Sequence, residues 1–164
     1  MKKLSFIFLT VIALSVFASC NRTVINNANV ASSTLTVRSS DWYWDNNTSW
    51  RVDINYENIN LDVYQGGAVL VYLQEDNTWR QVPLTYYYSE IVEGEERFYS
   101  SSIETSFYQG GISIFWTEND FYAGKRPNER KFRIVAIAAA TYNDRQDVNY
   151  ADYDAVKAAF QLAD

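Results

Sequence analysis

Strict alternation of apolar and polar residues limits the folds open to this chain more than any other feature. Across residues 50–57, Trp50, Val52, Ile54 and Tyr56 take every second place, with Arg51, Asp53, Asn55 and Glu57 between them. Side chains on a strand point alternately to opposite faces, so this stretch predicts a strand with one dry and one wet side. Leu35 and Val37 alternate likewise with Thr34, Thr36 and Arg38, and Val82, Leu84, Tyr86 and Tyr88 do so again. Residues 67–73 are apolar or glycine throughout, which predicts a central strand covered on both sides.

Turn residues separate these runs. Asp45-Asn46-Asn47, Glu75-Asp76-Asn77 and Glu93-Gly94 are expected to reverse the chain, so that residues 78–82 return beside 67–73 and 91–98 form a hairpin. Further strands are expected over 99–107, 111–116 and 131–138, the last of them ending apolar on both faces. Aromatic residues, 16% of the chain, suit pleated half-buried surfaces. One segment departs from period two. Over 152–162, Tyr153, Val156, Ala159 and Phe160 recur at helical spacing, Asp152 is placed to cap the start, and Asp154 suits the helix dipole. The reading is a mainly β chain: an antiparallel β-sandwich of about seven to nine strands with one short C-terminal helix. A closed barrel fits the same periodicity.

The N-terminus carries an address. Lys2 and Lys3 precede an apolar run over residues 4–17, followed by the small pair Ala18-Ser19 and then Cys20, the only cysteine. Positive start, short apolar stretch and small residues define a secretory signal over residues 1–19. The run falls short of the roughly 20 residues that span a bilayer. Phe17-Ala18-Ser19-Cys20 resembles the lipobox of bacterial lipoproteins, with Phe17 in place of the usual Leu, a looseness found among those of the Bacteroidota type. The resemblance implies cleavage before Cys20 and acylation there, which anchors a protein stably once several chains are present. Asn21 follows the cysteine in place of the aspartate that retains lipoproteins at an inner membrane, which points to the outer membrane. Residues 21–33 contain no acid, and the acidic surface-export tag is therefore missing, which favours the periplasmic face. Residues 20–33 read as a lipidated tether and 34–164 as a single domain.

Several function classes are excluded or disfavoured. With no histidine, nucleophile systems that use a histidine base cannot form, nor can a zinc site of histidine and cysteine ligands. Removing the leader takes away Lys2 and Lys3, so the formal charge falls from −6 to −8. Nucleic acid is not an expected partner for so acidic a surface. No cofactor is expected, and no catalytic residue is assigned.

At Gly67-Ala68-Val69-Leu70-Val71-Tyr72 the chain resembles a group of small Bacteroidota lipoproteins and secreted domains. Their pattern continues through a Trp, a Pro-Leu pair and a Phe-Arg-Val-Val run, matched here by Trp79, Pro83-Leu84 and Phe132-Arg133-Ile134-Val135. The similarity covers residue 40 to the C-terminus. It implies a β-sandwich and an exported location, and no activity.

Candidate chemistry is sparse. Asp144, Asp147, Asn149, Asp152 and Asp154 supply oxygens that calcium uses, but a capped helix start with solvated acids explains them equally. Glu93, Glu95 and Glu96 surround a hairpin glycine, a poor frame for holding two catalytic carboxylates at a fixed separation. Tyr64-Gln65-Gly66-Gly67 and Tyr108-Gln109-Gly110-Gly111 form an internal echo, expected to mark two equivalent strand starts, with paired ligand loops as the functional alternative. Tyr86-Tyr87-Tyr88 must turn at least one ring outward if it is a strand. Candidate contacts with a ligand or partner are therefore Trp42, Trp44, Trp79, Tyr87 and Trp116. The preferred reading is a non-catalytic interaction or structural module at the cell envelope, with a glycan-binding lipoprotein as the alternative. Two or three exposed coplanar rings among those five would favour a glycan. A flat apolar patch or an open strand edge would favour a protein.

Overall fold

A computed structural model describes residues 24–27, 29–120 and 126–163. Two antiparallel five-stranded sheets stack into a sandwich. The first runs in the order β1 (Val24–Asn27), β2 (Val30–Val37), β10 (Arg130–Ile137), β5 (Ala68–Glu75) and β6 (Thr78–Gln81). The second runs β3 (Tyr43–Asp45), β4 (Ser49–Asn55), β9 (Gly111–Glu118), β8 (Glu95–Tyr108) and β7 (Leu84–Val92). Three short helices complete the fold: α1 (Leu61–Gly66), α2 (Ala139–Asp144) and α3 (Tyr153–Phe160). The expected antiparallel β-sandwich with a short C-terminal helix is the architecture observed.

The two kinds of strand pattern have one cause. The first sheet is covered on both faces. Val71, Leu73, Phe132, Ile134 and Ala136 point into the inter-sheet core, where they meet Val52, Ile103, Ile112 and Ile114 of the second sheet. Leu70, Tyr72, Val135 and Ile137 alternate with them and point the other way, beneath Tyr153, Val156 and Phe160 of α3. That is why β5 from Ala68 to Leu73 and β10 from Ile134 to Ile137 are apolar at every position. Among the described residues, no helix covers the outer face of the second sheet, and its strands keep the alternation that water on one side demands.

Helix α3 forms where its spacing predicts. The Asp152 carboxylate accepts hydrogen bonds from the backbone N–H groups of Asp154 and Ala155 at 2.9 and 3.4 Å, capping the first turn. Arg133 of β10 fastens this helix to the sheet. Its guanidinium lies over the rings of Trp79 and Tyr153, at 5.1 and 5.0 Å from their centres. It also donates to Thr34 Oγ1 at 2.8 Å, to the Ala163 carbonyl at 2.9 Å and to the Tyr153 hydroxyl.

Three sequence expectations need correction. The domain begins before residue 34: β2 starts at Val30 and pairs with β10 along its whole length, and β1 pairs with β2 in turn, so the tether reading of residues 24–27 and 30–33 does not hold. Ala31, Ser32 and Ser33 are buried because small side chains fit a closely packed ladder, and they leave no hydrophobic period to read. Helices α1 and α2, six residues each, carry too little sequence to show one either. The echoed motifs are not equivalent strand starts. Tyr64-Gln65-Gly66 ends α1, whereas Gln109-Gly110 tips the β8–β9 hairpin, with Gly110 at φ 89°. Gly67 answers a different need, since a side chain there would collide with the Ile137 carbonyl. Tyr64 of the first motif packs edge-on against Phe107, the residue before the second, at 6.3 Å.

The signal segment, Cys20 and Asn21 lie outside the described residues. Among the described residues, no helix is long and apolar enough to cross a membrane.

Candidate interaction edge and adjoining cleft

Strand β7 positions the candidate site. The chain leaves β6 in one sheet and enters β7 in the other through a cis Val82–Pro83 bond. β7 then pairs with β8 over nine consecutive residues, from Leu84 opposite Ile103 to Val92 opposite Glu95, without a bulge. Among the described residues nothing pairs with its other side, so β7 is an edge strand. Exposed edges are usually blunted by charge, proline or bulges. Between Leu84 and Val92 the only charged residue is Glu90, and there is no proline.

The two faces of this edge differ. Outward, Tyr87 is 84% exposed, Ile91 79% and Phe98 75%. Tyr87 sits opposite Ser100, and Phe98 opposite Ser89, which places the three apolar side chains on one face as diagonal neighbours. Inward, Leu84 and Tyr86 pack against the core, but the strands continue past the end of the first sheet. The Tyr86 hydroxyl donates to Glu75 Oε1 at 2.6 Å, at the last residue of β5. Beyond that contact the inner face of β7 to β9 opens into a cleft of about 650 Å³. This is within the ~300–1,000 Å³ typical of small-ligand sites.

Tyr88, Tyr99, Glu118 and Asp120 line the second-sheet side of the cleft, and Arg126 and Arg130 reach it from the segment leading into β10. Rings and guanidinium groups are matched in most of it. Arg80 lies over Tyr86 at 5.7 Å, Arg130 over Trp116 at 5.4 Å and Arg126 over Trp50 at 5.2 Å. Tyr88 and Tyr99 instead stack on each other at 5.6 Å. The Tyr88 hydroxyl donates to Glu118 Oε2 at 3.0 Å. Burial raises the Tyr88 hydroxyl above its ordinary pKa; a Ser101 hydrogen bond opposes this, and the Glu118 hydrogen bond and the charges of Glu118 and Asp120 add to it. For Tyr86, burial and Glu75 raise the pKa in the same way, while Arg80 and Arg130 oppose.

A second polar cluster lies on the outer face, across β3, β4 and β9. Asp53 accepts from Ser113 Oγ at 2.5 Å, Tyr43 at 2.6 Å and Arg51 Nε at 2.8 Å, and Arg51 also reaches Asp45 at 3.3 Å. Burial works against ionisation of Asp53, but these three donors outweigh it and hold the carboxyl below its usual range. The arrangement ties three strands together.

The five sequence-predicted contact residues are scattered. Trp42, 1% exposed, is part of the core, which withdraws it as a contact residue. Trp44 packs edge-on against Trp50 at 5.3 Å, and Trp79 against Tyr153 at 5.6 Å. Trp116 stacks with Tyr86 inside the cleft at 6.3 Å. Tyr87 alone of the five is exposed. Ile91 and Phe98, which complete its patch, were read only as the bounds of a hairpin segment, and Tyr99 and Asp120 of the cleft were not signalled as contacts at all. The acids over 144–154 serve local structure: Asp152 caps α3, Asp147 meets Arg145 at 3.4 Å, and Asn149 Oδ1 accepts from the Ala151 N–H at 3.2 Å. Among the described residues, no group of three or more acids is placed to hold a metal ion. Glu93, Glu95 and Glu96 are exposed at the hairpin tip, with Glu96 accepting from Ser89 at 2.8 Å.

Compared with family models, curated proteins and solved structures, the chain matches none.

Proposed function

We propose that this protein is a lipid-anchored, non-catalytic interaction module of the bacterial cell envelope that binds a protein partner along β7 and the outer face of the β7–β8 hairpin. One observation carries the proposal: a nine-residue strand edge, nearly free of charge and lacking a bulge, runs beside the exposed apolar trio Tyr87, Ile91 and Phe98. Such an edge offers backbone hydrogen bonds, and such a patch offers burial; together they are what strand addition uses. The anchor is Cys20 behind a secretion signal, as in lipoproteins of the Bacteroidota type, and the address is the outer membrane, on its periplasmic face. Absence of histidine and of any assigned nucleophile supports a binding role over catalysis.

Glycan binding is the weaker reading. It calls for two or three exposed coplanar rings among Trp42, Trp44, Trp79, Tyr87 and Trp116, and only Tyr87 is exposed.

A triple variant, Tyr87→Ser, Ile91→Ser and Phe98→Ser, tests the proposal. These side chains contribute little to the core, so the variant is expected to keep the wild-type melting temperature. It is expected to lose the crosslinked species that the wild-type protein forms in cells. Unchanged crosslinking in a folded variant would refute the assignment of this face.

A further inference from the structure

Strand geometry makes a specific demand on whatever adds to β7. Side chains of an added strand must alternate between the two faces that β7 already separates. Over residues 86–92, one set would enter the cleft beside Tyr88 and Glu90, and the other would lie on the outer face beside Tyr87 and Ile91. The cleft side carries acids on its β7–β9 wall, with Arg126 and Arg130 reaching it from the segment before β10. Glu90, Glu118 and Asp120 line that wall, the Tyr88 hydroxyl donates to Glu118 Oε2 at 3.0 Å, and Arg97 faces Glu90 across the ladder. The wall is also aromatic. Tyr86 and Trp116 each carry a guanidinium from the chain itself, whereas among the described residues the stacked pair Tyr88–Tyr99 carries none. Aromatic faces flanked by carboxylates attract cations. The outer side presents Tyr87, Ile91 and Phe98, with Glu96 opposite Ile91.

We propose that β7 takes up an extended segment of a basic partner protein in which arginine or lysine, reaching into the cleft, alternates with apolar residues that cover Tyr87, Ile91 and Phe98. The proposal rests on the reading of β7 as the interaction edge and adds the chemistry of the partner. Charge separates this occupant from a second copy of the chain. A copy pairing edge to edge would bring Glu90 and Glu93 against the same acids, on a chain whose net charge is already −6. A basic strand meets complementary charge instead.

The test uses the full-length protein in detergent and a short fluorescent peptide of alternating arginine and valine, followed by anisotropy. Three comparison peptides isolate the terms: glutamate in place of arginine, arginine and valine segregated into two blocks, and the alternating peptide N-methylated at every second residue. The alternating arginine peptide is expected to bind saturably. Each comparison peptide is expected to bind at least about tenfold more weakly, since main-chain hydrogen bonds supply affinity and alternate side chains supply specificity in strand addition. Glu118→Gln, which keeps the shape of the cleft, is expected to weaken the alternating peptide severalfold, with the difference shrinking as salt rises. Equal binding by the block peptide would overturn the proposal, because charge alone would then suffice. No saturable binding would overturn it too. If photo-crosslinks from position 87 to an envelope protein persist in that case, the interaction edge stands and only the partner chemistry is wrong. If crosslinks from position 87 join two copies of the chain, the occupant is a second copy.

Discussion

The Tyr86 hydroxyl donates a 2.6 Å hydrogen bond to Oε1 of Glu75, and this contact marks where the two sheets part. Glu75 also receives Arg80 Nη1 at 2.8 Å through Oε2, so both carboxylate oxygens are engaged at the end of β5. On one side of the contact lies the closed core, and on the other the open cleft. Tyr86→Phe is expected to cost about 1 kcal/mol, the net worth of a partly buried hydrogen bond, measured by urea unfolding. The raised pKa adds a pH signature. Stability from a protonated hydroxyl is fully present below the unfolded value of 10.0 and is lost as pH rises through the higher folded value. The unfolding free energy of Tyr86→Phe should therefore fall less steeply above pH 10 than that of the wild type.

Arg133 is expected to be the most sensitive polar residue of the domain. Truncation to Ala removes its hydrogen bonds to Thr34 and Ala163 and its contacts with the rings of Trp79 and Tyr153. A loss of about 3 kcal/mol is expected for a buried, hydrogen-bonded charged group. Amide exchange should show the loss first in α3, because that helix is what Arg133 fastens. Uniform loss of protection across both sheets would contradict this role.

Asp53 should govern part of the acid limb of stability. Its carboxyl is held below the ordinary value of 3.8 by donors that outweigh burial. A depressed folded pKa contributes stability above the unfolded value, and this is lost as pH falls through the lower folded one. Melting temperature followed downward from pH 5 is expected to drop less steeply for Asp53→Asn than for the wild type. Parallel curves would show that the Tyr43–Asp53–Ser113 cluster is not coupled to folding.

Cys20→Ala is expected to abolish fatty-acid labelling and leave an uncleaved, unlipidated precursor. Continued labelling of that variant would refute the lipoprotein assignment.

How much of this was legible in the sequence depends on what each element is made of. The wet–dry alternation of Trp50, Val52 and Ile54 placed β4, and the apolar run through Leu70, Val71 and Tyr72 placed a doubly covered β5, because burial acts directly on residue type. Asp152 announced α3 through a capping interaction that only a few side chains make. The start of β2 was not legible, since Ala31, Ser32 and Ser33 pair through backbone groups that every residue carries. The cleft was hidden for another reason. Alternation turned Tyr88 inward, but nothing local to β7 records that β5 ends at Glu75 while β7 continues to Val92. Relative sheet length is a property of the assembled fold. The same holds for Trp42: its aromatic neighbours suggested a contact residue, and only the packing of the sheets shows it to be core.

The central claim is that β7 and the hairpin beside it are the contact surface, and photo-crosslinking in living cells tests it most directly. A photoreactive residue would be placed in turn at positions 87, 91 and 98, and at two exposed control positions, 57 and 147, outside β7 and its hairpin. The account predicts a discrete adduct with an envelope protein from the first three positions and none from the controls. No adduct from 87, 91 or 98, or equal adducts from positions 57 and 147, would contradict it.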